Sequence, residues 1–150
     1  MFSKRPTERQ IIGRIGEDCV CEYLKKRGFK IIDRNYLRKW GEIDIVAKES
    51  KKIHFIEVKS VSRILSENRE VGHETLVVEQ SLLRDRQNDG YRAEDNMHPW
   101  KLQRLGRVIQ SYLLDKDISE DIDWQFDVAT VYIDAEKRIS KINLLEDIVL

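Results

Sequence analysis

Gly41-Glu42-Ile43-Asp44-Ile45-Val46-Ala47 and Lys52-Ile53-His54-Phe55-Ile56-Glu57-Val58-Lys59 are the two stretches that decide the reading of this chain. Each is a short run rich in Ile, Val and Phe, and residues 48–51 between them are polar. The pair reads as an antiparallel hairpin. Side chains alternate along a strand, so Glu57 and Lys59 emerge on one face. A two-residue or a four-residue loop places Asp44 opposite Glu57 on that same face, whereas a three- or five-residue loop does not. Central strands do not ordinarily spend interior positions on Asp, Glu and Lys. Two converging carboxylates are hard oxygen ligands that suit Mg²⁺, which keeps several waters for itself. Such a cation activates water and offsets charge on a phosphate, and a neighbouring Lys orients the water or stabilises developing negative charge. A salt-bridge cluster on the wet face of an antiparallel sheet would use the same residue types, and spacing alone does not separate the two.

Outward from the hairpin, residues 11–27 read as a helix. Ile12, Ile15, Cys19, Val20, Tyr23 and Leu24 form one apolar stripe, and Lys25-Lys26-Arg27 then Gly28 end it. Residues 29–36 read as the first strand. Residues 62–97 are polar and weakly periodic, and a stretch of this length exceeds an ordinary loop. It is expected to be a partly helical or mobile excursion, the most mobile part of the chain, with residues 74–83 the best local helix. Pro99 opens a second helix whose stripe is Leu102, Leu105, Val108, Ile109, Tyr112 and Leu113. Residues 124–133 alternate as a strand, 134–137 turn, and 138–145 form a last strand. The order α-β-β-β-excursion-α-β-β describes an α/β sandwich around a mixed sheet.

The chain has 150 residues, which points to a single domain spanning 1–150. Hydrophobic residues make up 41% and charged residues 36%, so neither a membrane-embedded nor a disordered chain is expected. No apolar run approaches a membrane span, and the basic N-terminus has no apolar core behind it. The formal net charge is zero, but residues 1–40 carry a net of +6 and residues 119–150 a net of −5. A neutral total argues against tight nonspecific nucleic-acid binding without excluding a local basic face. Cys19 and Cys21 would point to nearly opposite sides of the helix and lack zinc-spaced partners, which suits a reducing cytoplasm. His54, His73 and His98 are scattered and give a zinc or histidine-nucleophile reading little support.

Glu57-x-Lys59 after Asp44, behind a helix bearing Glu17, resembles the PD-(D/E)xK nuclease superfamily. The wider set is Gly16-Glu17, Arg34-Asn35-Tyr36, Gly41-Glu42-Ile43-Asp44, Phe55-Ile56-Glu57-Val58-Lys59 and Phe126-Asp127-Val128. It resembles the YraN-like family of predicted bacterial endonucleases, over roughly residues 11–61 and 99–133. The Gly-Glu-Ile-Asp and Glu-Val-Lys pair is the specific part. Ser60-Val61 and Gln125 stand where that family commonly has Thr-Arg and Arg. The resemblance implies a restriction-endonuclease-like fold, a three-layer sandwich with a mixed central sheet between helices.

It also implies site roles. Asp44 and Glu57 bind the metal, Glu17 is a third acidic group reaching it from the first helix, and Lys59 acts on the water or the transition state. Gly13 and Gly16 cost helix propensity, and the expectation is that they let the helix approach the sheet. Lys101 and Arg104 flank the second helix's stripe and are the candidate nucleic-acid contacts, Lys101 ahead of Arg104. Glu42 has a supporting or a structural role. Asp127 lies on the opposite parity from Phe126 and Val128 and is not assigned. Tyr36, Trp40 and Trp100 are able to stack on bases, but aromatics are more often core or rim packing, and they are left out of the site. The expected activity is Mg²⁺-dependent phosphodiester hydrolysis of nucleic acid by a cytoplasmic DNA endonuclease, with Mn²⁺ able to substitute. The rivals are a catalytically inactive nucleic-acid-binding module of the same fold and a structural adaptor. The oligomeric state is open, and a homodimer is compatible with the sequence.

Overall fold

Helix α1, Glu8–Lys26, begins one turn earlier than its apolar periodicity suggests. The reason is a capping box. The Thr7 side chain accepts from Gln10 N at 3.2 Å, and Thr7 N donates to Gln10 Oε1 at 2.9 Å. At the other end Gly28 adopts φ 89°, and Gly28 N and Phe29 N donate to Lys25 O and Leu24 O. Those bonds close the helix and turn the chain into the sheet. The computed structural model describes residues 3–62, 99–134, 136 and 138–150. Nearly all of the 62–97 excursion, including the helix expected over 74–83, lies outside the described residues.

Five strands follow as β1 (Lys30–Arg38), β2 (Gly41–Glu49), β3 (Lys52–Ser62), β4 (Trp124–Ile133) and β5 (Ile139–Leu145), with α2 (Pro99–Asp115) between β3 and β4. They form one sheet in the order β1-β2-β3-β4-β5. Neighbours are antiparallel except β3 and β4, which run parallel with Phe55 beside Phe126. The sheet is therefore mixed, as the element order requires. β1 and β2 both run further than their apolar letters indicate. The two-residue connections Lys39-Trp40 and Ser50-Lys51 leave no room for longer loops.

The two helices cover opposite faces. Leu105, Val108, Ile109 and Tyr112 of α2 join Ile53, Phe55, Phe126 and Val128 in one cluster. Val20, Cys21 and Leu24 of α1 join Ile45, Ala47, Ile56, Ala129, Val131 and Ile133 in the other. β3 and β4 contribute to both clusters, which is why their residues are apolar on both parities. Full burial of a side chain such as Phe55 contributes about 1.5–3 kcal/mol, so these two layers hold the frame on which the polar groups sit. This mixed α/β architecture is consistent with a restriction-endonuclease-like fold. No described helix is long and apolar enough to cross a membrane.

Candidate functional site

The hairpin β2–β3 has the shorter of the two loops compatible with the charge pairing. Glu49 pairs with Lys52 and Ile45 with Ile56, a register whose next step sets Asp44 against Glu57. The ladder changes there. The backbone N–H of Val58 donates to Asp44 Oδ2 at 2.8 Å, so a side-chain carboxylate takes the place of a strand partner. Alternation also breaks at this point. Ile45 belongs to the α1 face but Ile43 to the α2 face. On β1, between Arg34 and Tyr36, Asn35 takes φ 52°, a left-handed conformation that Asn tolerates better than most residues. Asn35 lies across the β1–β2 ladder from Asp44, whose carboxylate reaches the Val58 N–H of β3 at this break.

Three further acidic groups, Glu17, Glu42 and Glu57, gather around the Asp44 carboxylate. Burial is the main cause that raises Asp44 from 3.8 to about 7, the Val58 N–H opposes, and Glu17, Glu57 and Glu42 add repulsion. Glu17 comes from α1 and is likewise raised, first by burial and then by Glu42, while Arg34 and Asn35 counter. The Asn35 carboxamide nitrogen, in the orientation its acidic neighbours require, donates to Glu42 Oε1 at 2.9 Å and Glu17 Oε2 at 3.2 Å. Arg34 Nη2 lies 2.8 Å from Asp18 and 3.6 Å from Glu17. Glu17 thus faces the cluster as expected, but two partners from β1 already hold it.

Glu57 is bound on one side only. Its Oε1 lies 3.4 Å from Lys101 Nζ on α2, and its Oε2 is buried without a hydrogen-bond partner among the described residues. Lys59 is lowered from its ordinary value by burial, with Glu57 opposing and Lys101 adding to the fall. The structure therefore brings Lys101 to a carboxylate. Arg104 does not reach it, and its guanidinium stacks 5.2 Å from the centre of the Trp100 ring. Gly16 permits the approach of α1. A Cβ there would stand 2.0 Å from Ser60 Oγ, whereas one at Gly13 would meet nothing within 4 Å. Among the described residues, Ser60 Oγ is, like Glu57 Oε2, a buried side-chain atom without a partner.

This arrangement fits a divalent cation. Mutually repelling carboxylates, one with an unpartnered buried oxygen, are the donor set a hard metal takes up. Glu17, Asp44 and Glu57 are not drawn into one tight ligand set, however. Among the described residues the group whose ligand atoms all lie within 4.8 Å of one another is His54, Asp127 and Glu146. Sequence reasoning passed over Arg34 and Asn35 as site residues, and it left both His54 and Asp127 unassigned. Asn35 had a weak signal, a polar residue inside a strand. His54 had another, a titratable group between Ile53 and Phe55 in the central strand.

The family described as "Uncharacterised protein family UPF0102" matches residues 16–131. The chain belongs to this family. The match spans Glu17, Asn35, Asp44, Glu57, Lys59 and Lys101, so every element of the cluster lies inside the UPF0102 region. A UPF0102 protein of Campylobacter jejuni is 36% identical over 109 residues, 73% of this chain and 74% of its own length. Another, from Alkaliphilus metalliredigens, is 34% identical over 133 residues, 88% of this chain and 94% of its own. A third, from Campylobacter concisus, is 32% identical over 135 residues, covering 89% and 95%.

Proposed function

We propose that this UPF0102 protein is a Mg²⁺-dependent phosphodiesterase of the PD-(D/E)xK type that acts on nucleic acid, with DNA as its substrate. The observation that carries the reading is the unpartnered, buried Glu57 Oε2 beside an Asp44 whose carboxyl is pushed up to about 7. Burying carboxylates together without compensation is costly, and a fold retains such a group where a ligand supplies the missing charge. Asp44 and Glu57 would hold the cation and Glu17 would assist, steered by Arg34 and Asn35. When bound, the cation supplies charge for a phosphate and acidifies a water molecule.

The chain's own groups account for the remaining work. The Val58 N–H fixes one Asp44 oxygen and leaves the other for the cluster. Lys59, on the strand position two beyond Glu57, stabilises charge that builds on the attacked phosphate. Lys101 occupies Glu57 with its ammonium. With Glu57 engaged as a ligand, the Lys101 ammonium would be available to a phosphate. The binding-module and adaptor rivals differ from this reading by their lack of turnover.

Cleavage of linear, flapped and four-way-junction DNA, and of single-stranded RNA, with Mg²⁺ or Mn²⁺ tests the proposal. Metal-dependent cleavage of DNA that Asp44→Asn abolishes is the expected result. Metal-independent nucleic-acid binding without cleavage would favour the binding module, and absence of both metal and nucleic-acid binding would favour the adaptor.

A further inference from the structure

His54 and Asp127 are buried side by side at the other end of the β2–β3 hairpin, on the face covered by α1. His54 Nδ1 lies 2.7 Å from Asp127 Oδ2. Asp127 Oδ1 accepts from Gln125 Nε2 at 2.7 Å and from the backbone N–H of Asp147 at 2.9 Å. Those two donors occupy Oδ1, and the tautomer that fits Oδ2 is the one in which His54 Nδ1–H donates to it. In the neutral imidazole that leaves a lone pair on Nε2. Nε2 stands 3.9 Å from Glu49 Oε2, outside hydrogen-bond reach. An open cleft of about 460 Å³ reaches the ring, bordered by Glu49, Lys52, Gln125, Glu146 and Asp147.

We propose that this cleft binds a divalent cation of the zinc class, with His54 Nε2, Glu49 and Glu146 as ligands and Asp127 as the residue that positions the imidazole. A neutral imidazole with carboxylates suits zinc, and a carboxylate on the far ring nitrogen fixes the tautomer that ligation needs. Asp127 takes the positioning role because both of its oxygens are engaged. Glu146 is delivered by the chain after β5, which is tied back on β4 by Asp147 N to Asp127 Oδ1 and Ile148 N to Phe126 O at 2.8 Å. Ligand atoms around a tetrahedral zinc stand roughly 3.3 Å apart. His54 and Glu146 already belong to one close group, and the exposed Glu49 side chain, 3.9 Å from His54 Nε2, must swing in to join them. The ligand chemistry differs from that of Asp44 on β2 and Glu57, the latter three residues further along β3 from His54, and the proposal does not depend on nuclease activity.

The test uses the full metal-stripped chain, dialysed against zinc chloride with magnesium in excess, with bound zinc measured by elemental analysis and affinity by calorimetric titration. One equivalent should be retained by the parent and by Asp44→Asn. His54→Ala and Glu146→Gln should each weaken binding at least tenfold, and Asp127→Asn by roughly 10–100-fold. Circular dichroism checks folding. Where His54→Ala fails to fold, the exposed Glu146→Gln decides alone. The proposal is overturned by a parent that retains no zinc, by Glu146→Gln binding as the parent does, or by an equivalent that Asp44→Asn loses and the His54 and Glu146 variants keep.

Discussion

The two ends of the β2–β3 hairpin bury acidic groups in opposite ways. At the turn end, Asp127 is wholly buried, yet His54, Gln125 and the Asp147 N–H engage both of its oxygens. At the open end, Asp44 has one backbone donor, Glu57 has an unpartnered oxygen, and Glu17 and Glu42 share one carboxamide. The first carboxylate is settled by the protein itself. The second group holds mutual repulsion that only added positive charge relieves. Burial alone therefore does not mark a functional carboxylate. What distinguishes the open end is burial with partners left over, on strands that have stopped pairing with each other.

The contrast breaks most sharply with Glu57→Gln, which removes a charge only at the open end. Metal-dependent cleavage should fall by about 10³-fold, the upper range for losing a group that stabilises transition-state charge. Calorimetric titration with Mn²⁺ should show site binding abolished while circular dichroism is unchanged. Undiminished Mn²⁺ binding would remove Glu57 from the ligand set.

Lys59→Met comes next. It keeps an apolar stem of similar length and deletes the ammonium. Cleavage should drop roughly 100-fold. Metal affinity should stay level or rise, since a cation beside the site is gone. A variant that cleaves as fast as the parent would reduce Lys59 to a structural partner of Glu57.

The third test reads the repulsion directly in metal-free protein. Burial and its neighbours raise Asp44 from 3.8 to about 7. The folded chain thus holds this proton more tightly than the unfolded chain does. The resulting stabilisation is fully present below about 3.8 and is lost as the pH climbs to about 7. In chelator, the thermal midpoint of the parent should decline over that window more than that of Asp44→Asn, and excess Mg²⁺ should remove the difference. Superimposable profiles would mean that Asp44 ionises freely in the fold.

The smallest expected effect is that of Gly16→Ala. The new methyl meets Ser60 Oγ at 2.0 Å and Ser60 Cβ at 3.3 Å. Rotation of the hydroxyl relieves only the first contact. Overpacking of this kind costs about 1–3 kcal/mol, and the better helix propensity of Ala returns about 1. A net loss of about 1 kcal/mol in denaturant unfolding should accompany a shift of α1, and with it Glu17. The zinc affinity of the His54 end should not change. A stabilised variant would mean that the helix rides higher on the sheet than the Gly16–Ser60 contact implies.

Much of the frame was legible because strand alternation and turn length are local. The hairpin and the stripes of both helices follow from neighbours in the chain. The early start of α1 was also present in the residues, as Thr7 and Gln10, though apolar periodicity does not register a cap. The break in alternation at Asn35 and Asp44 was not legible. Alternation arithmetic assumes a regular pleat, and a left-handed Asn spoils it without changing any apolar residue.

Sequence by itself determined the order of elements, the mixed character of the sheet, and which carboxylates and lysine would share the central hairpin. These depend on periods of two and of about 3.6 residues, which a linear chain displays openly. Tertiary structure decided which of those charges have partners. Lys101 reaches Glu57 from a helix beyond the long excursion, Arg34 and Asn35 reach Glu17 across a sheet-to-helix contact, and Asp127 on β4 and Glu146 just after β5 meet His54 from more than seventy residues away. Whether a charge is satisfied depends on distances of a few ångströms between groups remote in the chain, and no periodicity within a segment encodes them.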